Sequence, residues 1–169
     1  MKLGIVIFPS KELQDLANSY RKRYDSNYAL IPPHLTLLSA FDVSDDQIEK
    51  TTEILDDISN HYQPFQITTK KFSSFKPVNN VIYFKIEASD ELFNLQTELN
   101  AKINPNIPDS FTPHITVGQK LSDAEHADVY SSLKMSQFNY EETVDRFHLL
   151  YQLENGSWTV YETFRLGRE

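Results

Sequence analysis

The chain has 169 residues, with 16 Lys and Arg, 24 Asp and Glu, a formal net charge of −8 and no cysteine. The lack of cysteine excludes disulfide bonds and thiolate metal sites, and the acidic balance argues against a broad surface for duplex nucleic acid. A chain of this length can bury roughly 70% of the surface that its unfolded form exposes, so we expect one soluble domain spanning residues 1–169.

The first half of the chain is predicted to run strand, helix, linker and strand. Residues 3–8 are apolar and β-branched, which indicates a buried strand. Ser10 can cap a helix, and a linker at 25–33 leads to a second strand at 34–41. The apolar stripe of the helix consists of Leu13, Leu16, Ala17, Tyr20 and Tyr24. The sequence Ser-Asp-Asp-Gln from Ser44 is a capping box, which predicts another helix.

Two strands, at about 65–75 and 81–88, lead into a second half that repeats the first. Ser89 can cap a helix whose apolar stripe is Leu92, Leu95, Leu99 and Ile103. A proline-containing linker at 104–113 then precedes a strand that begins at His114.

The remaining elements complete the repeat and close the chain. Ser122 begins a second capping box, Ser-Asp-Ala-Glu, and predicts a helix to about Met135. Alternating apolar residues on both sides of the Asn155-Gly156 turn signal predict a terminal hairpin. The expected fold class is therefore α+β. It has two lobes related by a pseudo-twofold axis, each an antiparallel sheet flanked by helices, with a central groove that holds the active site.

The most informative motif is Pro-His-apolar-Thr-apolar, which occurs as PHLTL at 33–37 and as PHITV at 113–117. Side chains at i and i+2 of a strand share a face, so each copy presents an imidazole beside a hydroxyl. Two such strands facing one groove suit a phosphodiester. One histidine can accept a proton, the other can donate one, and the hydroxyls can bind the non-bridging oxygens.

This pair of motifs, about 80 residues apart on matching halves, resembles the two-histidine (2H) phosphoesterase superfamily, which includes RNA 2′,3′-cyclic phosphodiesterases and 2′-5′ RNA ligase-like proteins. The segments at 4–10, 32–37, 77–83 and 147–153 are most similar to the YjcG-type phosphoesterases of Gram-positive bacteria. The resemblance implies that His34 and His114 are the catalytic acid and base, in an order that it does not decide. It also implies that Thr36 and Thr116 bind phosphate and that no metal or other cofactor is needed.

Other residues have competing interpretations. Tyr83 and Lys85 share a strand face, so they are candidate substrate-binding residues if that strand neighbours a motif strand, or else part of a solvated face. His148 could line the groove or be a polar residue of an edge strand, and His61 and His126 are expected to face solvent. A zinc site formed by His34, His114 and His148 is conceivable by ligand type, but His-x-Thr is not a ligand spacing.

The predicted function is metal-independent hydrolysis of a cyclic phosphodiester, either a 2′,3′-cyclic phosphate or a related nucleotide or RNA end. The alternatives are a non-catalytic module that binds a nucleotide or RNA end in the same cleft, and a purely structural domain. The expected partner is such a small substrate, without duplex DNA or membrane. We expect a cytoplasmic protein, because the chain has no cysteine, no signal-peptide pattern and no stretch of membrane-spanning length. We also expect a monomer or weak homo-oligomer.

Overall fold

The structure is a computed structural model that describes residues 1–105 and 111–167. The strands are β1 Lys2–Ile7, β2 Leu35–Asp42, β3 Phe65–Ser74, β4 Ile82–Ala88, β5 His114–Gly118, β6 Tyr140–Val144, β7 Arg146–Gln152 and β8 Trp158–Arg165. The helices are α1 Lys11–Tyr24, α2 Ile48–Ser59, α3 Asp90–Ile103 and α4 Asp123–Leu133. Part of the predicted linker at 104–113 lies outside the described residues. No helix in the described part of the chain is long and apolar enough to cross a membrane.

The strands form an antiparallel sheet in the order β6-β3-β4-β5-β2-β1-β7-β8. Its two four-stranded halves meet where β2 pairs with β5, and Leu35 and Ile115 are the residue pair that joins them. The predicted α+β class and its two antiparallel halves are confirmed. The halves are continuous through this narrow junction, so the two motif strands are direct neighbours at the centre of the sheet.

The helices cover one face of the sheet and leave the other face open for a groove. Alternate residues of the central strands, such as Ile5, Leu35, Phe84 and Ile115, have no exposed surface and join the apolar stripes of the helices in one core. Helix α1 packs against β5, and α3 packs against β2. Each of these helices therefore supports the motif strand of the other half.

The predicted side-chain cap hydrogen bond forms at two of the four helix starts. Ser10 accepts a hydrogen bond from Leu13 N at 3.3 Å, and Ser122 forms the predicted capping box with Glu125. The prediction at Ser44 is wrong, since Ser44 makes no side-chain cap bond and a single 3₁₀ turn precedes α2. In that turn the Ser44 carbonyl accepts from Gln47 N at 2.9 Å, so the backbone takes the place of the side chain. Ser89 holds the N-cap position of α3, also without a side-chain cap bond.

The last third of the chain contains one strand that the sequence analysis missed. Strand β6 forms the edge of the sheet beside β3 and exposes most of its polar residues. An edge strand with little buried surface has a weak hydrophobic alternation, which explains the omission. The predicted terminal hairpin is confirmed as β7 and β8, with Gly156 in the left-handed region at φ +88°.

His126 corrects another expectation, because it is 3% exposed and does not face solvent. Its Nε2 lies 2.7 Å from Ser74 Oγ, which links α4 to the end of β3. The sequence of one helical turn does not show whether its histidine faces water or a neighbouring strand, and here His126 faces Ser74. His61 is about half exposed at its side chain, as expected.

Candidate active site

The junction between β2 and β5 brings both motifs together. Leu35 and Ile115 are paired and fully buried, so their neighbours along each strand project to the opposite face. The antiparallel register then sets His34 opposite Thr116 and Thr36 opposite His114. Each imidazole thus lies across the junction from the hydroxyl of the other motif. The result is a diagonal set of two histidines and two threonines on the open face of the sheet.

Both imidazole rings are held by the same hydrogen bond. His34 Nδ1 lies 2.9 Å from the Pro32 carbonyl oxygen, and His114 Nδ1 lies 2.7 Å from the Thr112 carbonyl oxygen. A carbonyl can only accept, so Nδ1 carries the proton in both rings. The remaining nitrogen, Nε2, is then an acceptor when the ring is neutral and a donor when the ring is protonated. Either ring can serve as base or as acid.

Two adjoining cavities extend from these four side chains. His34, Thr36 and Thr116 line a cavity of about 260 Å³, together with Trp158 and Gln119. A larger cavity of about 490 Å³ begins at His114 and also includes Thr36. Thr36 lines both cavities, so the two cavities adjoin at this residue.

The surroundings of both histidines favour their neutral forms. Burial lowers the pKa of His34 below 6.5, and the positive charges of Arg21 and His114 lower it further, while the Pro32 carbonyl and Asp25 oppose the shift. Burial also lowers the pKa of His114, against the opposing effect of the Thr112 carbonyl. Because a charge on one imidazole disfavours a charge on the other, double protonation is opposed. A pair with one neutral ring and one protonated ring can therefore form.

Tyr83 and Lys85, the two candidate binding residues on β4, lie at different positions relative to the groove. Tyr83 is 6% exposed, and its ring centroid lies 5.2 Å from that of His114. Phe75 packs on both rings, at 4.3 Å from Tyr83 and 4.9 Å from His114. Tyr83 therefore supports the His114 imidazole from the side. Lys85 is the register partner of His114, but it is exposed and is not among the residues that line the two cavities.

A buried ion pair beside His34 was missed by the sequence analysis. The side chains of Arg21 and Asp25 are 1% and 2% exposed, and Arg21 Nε donates to Asp25 Oδ2 at 3.0 Å. Arg21 also donates to the Ile31 carbonyl at 2.6 Å, three residues before His34. In the sequence, Arg21 belongs to a basic run with Lys22 and Arg23, which is typical of a solvated surface patch. Its spacing of four residues from Asp25 on a helix was the available signal.

The other histidines are not among the residues that line these two cavities. His148 Nδ1 is 2.9 Å from Thr163 Oγ1, and its ring packs 4.9 Å from that of Phe8. No group of three or more His, Asp or Glu side chains in the described ranges is arranged to hold a metal ion. The arrangement of His34, His114 and His148 therefore offers no ready-made zinc site.

The chain is similar to known proteins along almost its whole length. The model of the 2'-5' RNA ligase superfamily matches residues 9–156. A Bacillus licheniformis protein named "Putative phosphoesterase" is 58% identical over 168 residues, which is 99% of this chain and 99% of that protein. A Bacillus pumilus protein with the same name is 58% identical over 170 residues, which is 100% of this chain and 99% of that protein.

Solved structures share the fold at low sequence identity. The Escherichia coli protein LigT, in complex with 3'-AMP, has a TM-score of 0.75 and 18% identity over 99% of this chain and 98% of its own. The protein TT0787 of Thermus thermophilus has a TM-score of 0.74 and 20% identity, covering 100% of both chains. At this level of identity the likeness concerns the fold.

Proposed function

The chain belongs to the 2'-5' RNA ligase superfamily, and from that membership we propose that it is a metal-independent phosphoesterase that hydrolyses a cyclic phosphodiester. The proposed substrate is a 2′,3′-cyclic phosphate, carried by a nucleotide or by an RNA end. His34 and His114 are the catalytic acid and base, and Thr36 and Thr116 bind the phosphoryl oxygens.

The observation that carries the proposal is the diagonal arrangement at the β2–β5 junction. It combines two imidazoles, each with Nδ1 bonded to a carbonyl, and two hydroxyls on the same open face. General acid–base catalysis requires a proton acceptor and a proton donor on either side of the reacting phosphorus. Two rings with the same tautomer, held on neighbouring strands, support the assignment of these two roles to His34 and His114.

The reaction follows from this arrangement. The neutral imidazole accepts a proton at Nε2 from a water molecule, whose oxygen forms a new bond to phosphorus. The protonated imidazole donates its Nε2 proton to the ribose oxygen as the bond between that oxygen and phosphorus breaks. The product is a phosphomonoester with a free hydroxyl, and the two rings have exchanged protonation states. Each proton transfer typically contributes about 10²- to 10⁴-fold in rate.

The threonine hydroxyls stabilise the negative charge on the phosphoryl oxygens in the transition state. Thr36 and Thr116 line the cavity next to His34, and Thr36 also borders the cavity at His114. A hydroxyl that donates to a non-bridging oxygen stabilises the transition state without adding a charged group to the groove. Both threonines lie on paired strands, so the backbone that carries each hydroxyl is held in place.

A nucleotide ligand is consistent with the ligands bound in solved structures of the same fold. LigT has been crystallised in complex with 3'-AMP and with phosphate. By analogy, the groove of this chain would hold a nucleotide with its phosphate at the histidines.

The test is a hydrolysis panel. Wild-type protein is incubated with the four nucleoside 2′,3′-cyclic phosphates and with a short RNA that ends in a cyclic phosphate, in the presence of EDTA. Chromatography then separates the phosphomonoester products. We expect turnover that EDTA does not reduce. Binding of these ligands without turnover would overturn the proposal in favour of a non-catalytic binding module.

A further inference from the structure

The cavity next to His114 differs in character from the surface of this acidic chain. No Asp, Glu, Lys or Arg is among the described residues that line it, although Asp, Glu, Lys and Arg make up 24% of the chain. Apart from His114, which faces the phosphate of the proposed substrate, no described residue that lines this cavity is cationic. The cavity is therefore poorly suited to a second phosphate group, because a buried anion needs a compensating charge. Its occupant is expected to be uncharged.

Four carboxamides are among the polar residues that line this cavity. Three of them, Gln96, Asn100 and Asn104, follow one another at four-residue spacing from α3 into its C-cap, and therefore share one side of the helix. The fourth, Asn79, comes from the loop between β3 and β4. A carboxamide offers both a donor and an acceptor, which match the hydrogen-bonding edges of a nucleobase.

Aromatic rings complete the cavity. Phe75 packs at right angles to the His114 ring, and Phe111 lies 5.7 Å from Phe93 of α3. Both Phe75 and Phe111 line the cavity. Nucleic-acid-binding proteins use such rings to stack bases, at about 1–3 kcal/mol per base. An uncharged, planar ligand with hydrogen-bonding edges fits this combination of groups.

We propose that this cavity is a nucleobase subsite, in which Asn104 at the C-cap of α3 and Asn79 of the 75–79 loop contact the base of the nucleotide whose phosphate lies at His34 and His114. Gln96 donates to the Leu37 carbonyl and belongs to the wall of the cavity. The inference rests on the proposed function for the position of the phosphate. Thr36 lines both cavities, and His114 borders this one. A nucleoside attached to that phosphate therefore has a direct path into it.

Two of the amides can be altered without changing a charge. Asn79 Oδ1 accepts from Val81 N at 3.2 Å, which leaves its amide nitrogen for a ligand, and Asn104 is the C-cap residue of α3. Asn60 is the exposed C-cap residue of α2, so Asn60→Ala is the matched control for Asn104→Ala.

The experiment is a calorimetric titration, which needs no turnover. Wild type, Asn79→Ala, Asn104→Ala and Asn60→Ala are each titrated with the four nucleoside 3'-monophosphates and with 1-O-methylribose 3-phosphate, which has no base. We expect wild type to bind at least one nucleotide about tenfold more tightly than the base-free probe. Asn79→Ala and Asn104→Ala should each weaken nucleotide binding about three- to tenfold, as expected for one lost hydrogen bond, and leave binding of the probe unchanged. Asn60→Ala should match wild type.

Two results would overturn the subsite. One is equal affinity of wild type for the nucleotides and for the base-free probe. The other is a loss in the Asn79→Ala and Asn104→Ala variants that is the same for both kinds of ligand. Failure of the catalytic proposal alone would give another result. Nucleotides would still bind with an affinity that depends on the base, but the hydrolysis panel would show no product.

Discussion

Asp25 Oδ1 accepts a hydrogen bond from Gln119 Nε2 at 2.7 Å, across 94 residues of the chain. Asp25 also binds Arg21, which in turn holds the Ile31 carbonyl in the segment before His34. Gln119 directly follows the strand that carries His114 and Thr116. One buried ion pair at the end of α1 is thus connected to both motif strands. We infer that it helps to set their positions in the groove.

The substitution Asp25→Asn should lower the stability of the fold and shift the pH dependence of kcat/KM. It leaves the buried guanidinium of Arg21 without its countercharge, which typically destabilises a fold by about 3–5 kcal/mol. Asp25 raises the pKa of His34, so its loss should move the limb of the kcat/KM profile that reports His34 to lower pH. Urea denaturation and a pH–rate profile measure the two effects.

The double variant Arg21→Met, Asp25→Asn separates the ion pair from the hydrogen bonds of Asp25. Since no buried charge remains, it should recover part of the stability that Asp25→Asn loses. A double variant whose loss of stability equals the sum of the losses in Asp25→Asn and in Arg21→Met would show that the two side chains act independently.

The pH dependence of kcat/KM should peak below pH 6.5. Both histidines have a pKa below that value, chiefly through burial, and the reaction needs one neutral and one protonated ring. This combination is most abundant between the two pKa values and declines as the pH rises above them. A kcat/KM that still increases from pH 7 to pH 8 would show that the free enzyme does not use this pair. The measurement is a set of initial rates at low substrate concentration between pH 4.5 and pH 8.5.

Removing either motif hydroxyl should slow the reaction without unfolding the protein. Valine has the shape of threonine but cannot donate a hydrogen bond. Thr36→Val and Thr116→Val are therefore each expected to lower kcat by about 10²-fold. Thr163→Val is the matched control, because Thr163 is also a strand threonine beside a histidine, but it lies on β8. Equal kcat values in all four proteins would rule out the role of the hydroxyls.

His126 should make the fold sensitive to acid. Burial, followed by the charge of Lys76, lowers its pKa, so its contribution to stability is present above pH 6.5 and is lost as the pH falls through the lowered value. His126→Gln removes the titration and retains a polar group that can reach Ser74. The difference in the free energy of unfolding between pH 7.5 and pH 5.0 should therefore shrink in this variant.

His61→Gln serves as the control for this experiment, because His61 is exposed on the same molecule. His126→Ala should also be less stable than wild type at pH 7.5, by about 0.5–1.5 kcal/mol, since the hydrogen bond between His126 and Ser74 is lost while Ser74 Oγ still accepts from Lys76 N. An unchanged pH dependence in His126→Gln would assign the acid sensitivity to other groups.

Local sequence signals predicted much of the fold. Ser10, Ser122 and the Asn155-Gly156 turn act within a few residues of chain, so their patterns can be read without tertiary structure. Strand β6 was missed because it owes its conformation to pairing with the distant strand β3 and not to its own composition. The 3₁₀ turn before α2 was missed because Ser44 has the residue types of a capping box but not its geometry.

The candidate site was also predicted only where local sequence determines the arrangement. The two-residue period of a strand, repeated in both halves, predicted that His34 and Thr36 share a face and that His114 and Thr116 do likewise. The diagonal register at the β2–β5 junction could not be predicted, because it depends on which strands pair. The buried ion pair of α1 and the carboxamides of α3 were missed for a similar reason. The role of these residues depends on which elements pack beside them.

The most direct test of the central claim is the kcat for a nucleoside 2′,3′-cyclic phosphate, measured with EDTA for wild type, His34→Ala, His114→Ala and His148→Ala. His148 is a matched control, since it is also a half-buried strand histidine whose pKa is lowered by burial. We expect His34→Ala and His114→Ala each to lose about 10²- to 10⁴-fold in kcat and His148→Ala to retain the wild-type value. Wild-type turnover in either motif variant would contradict catalysis by the pair.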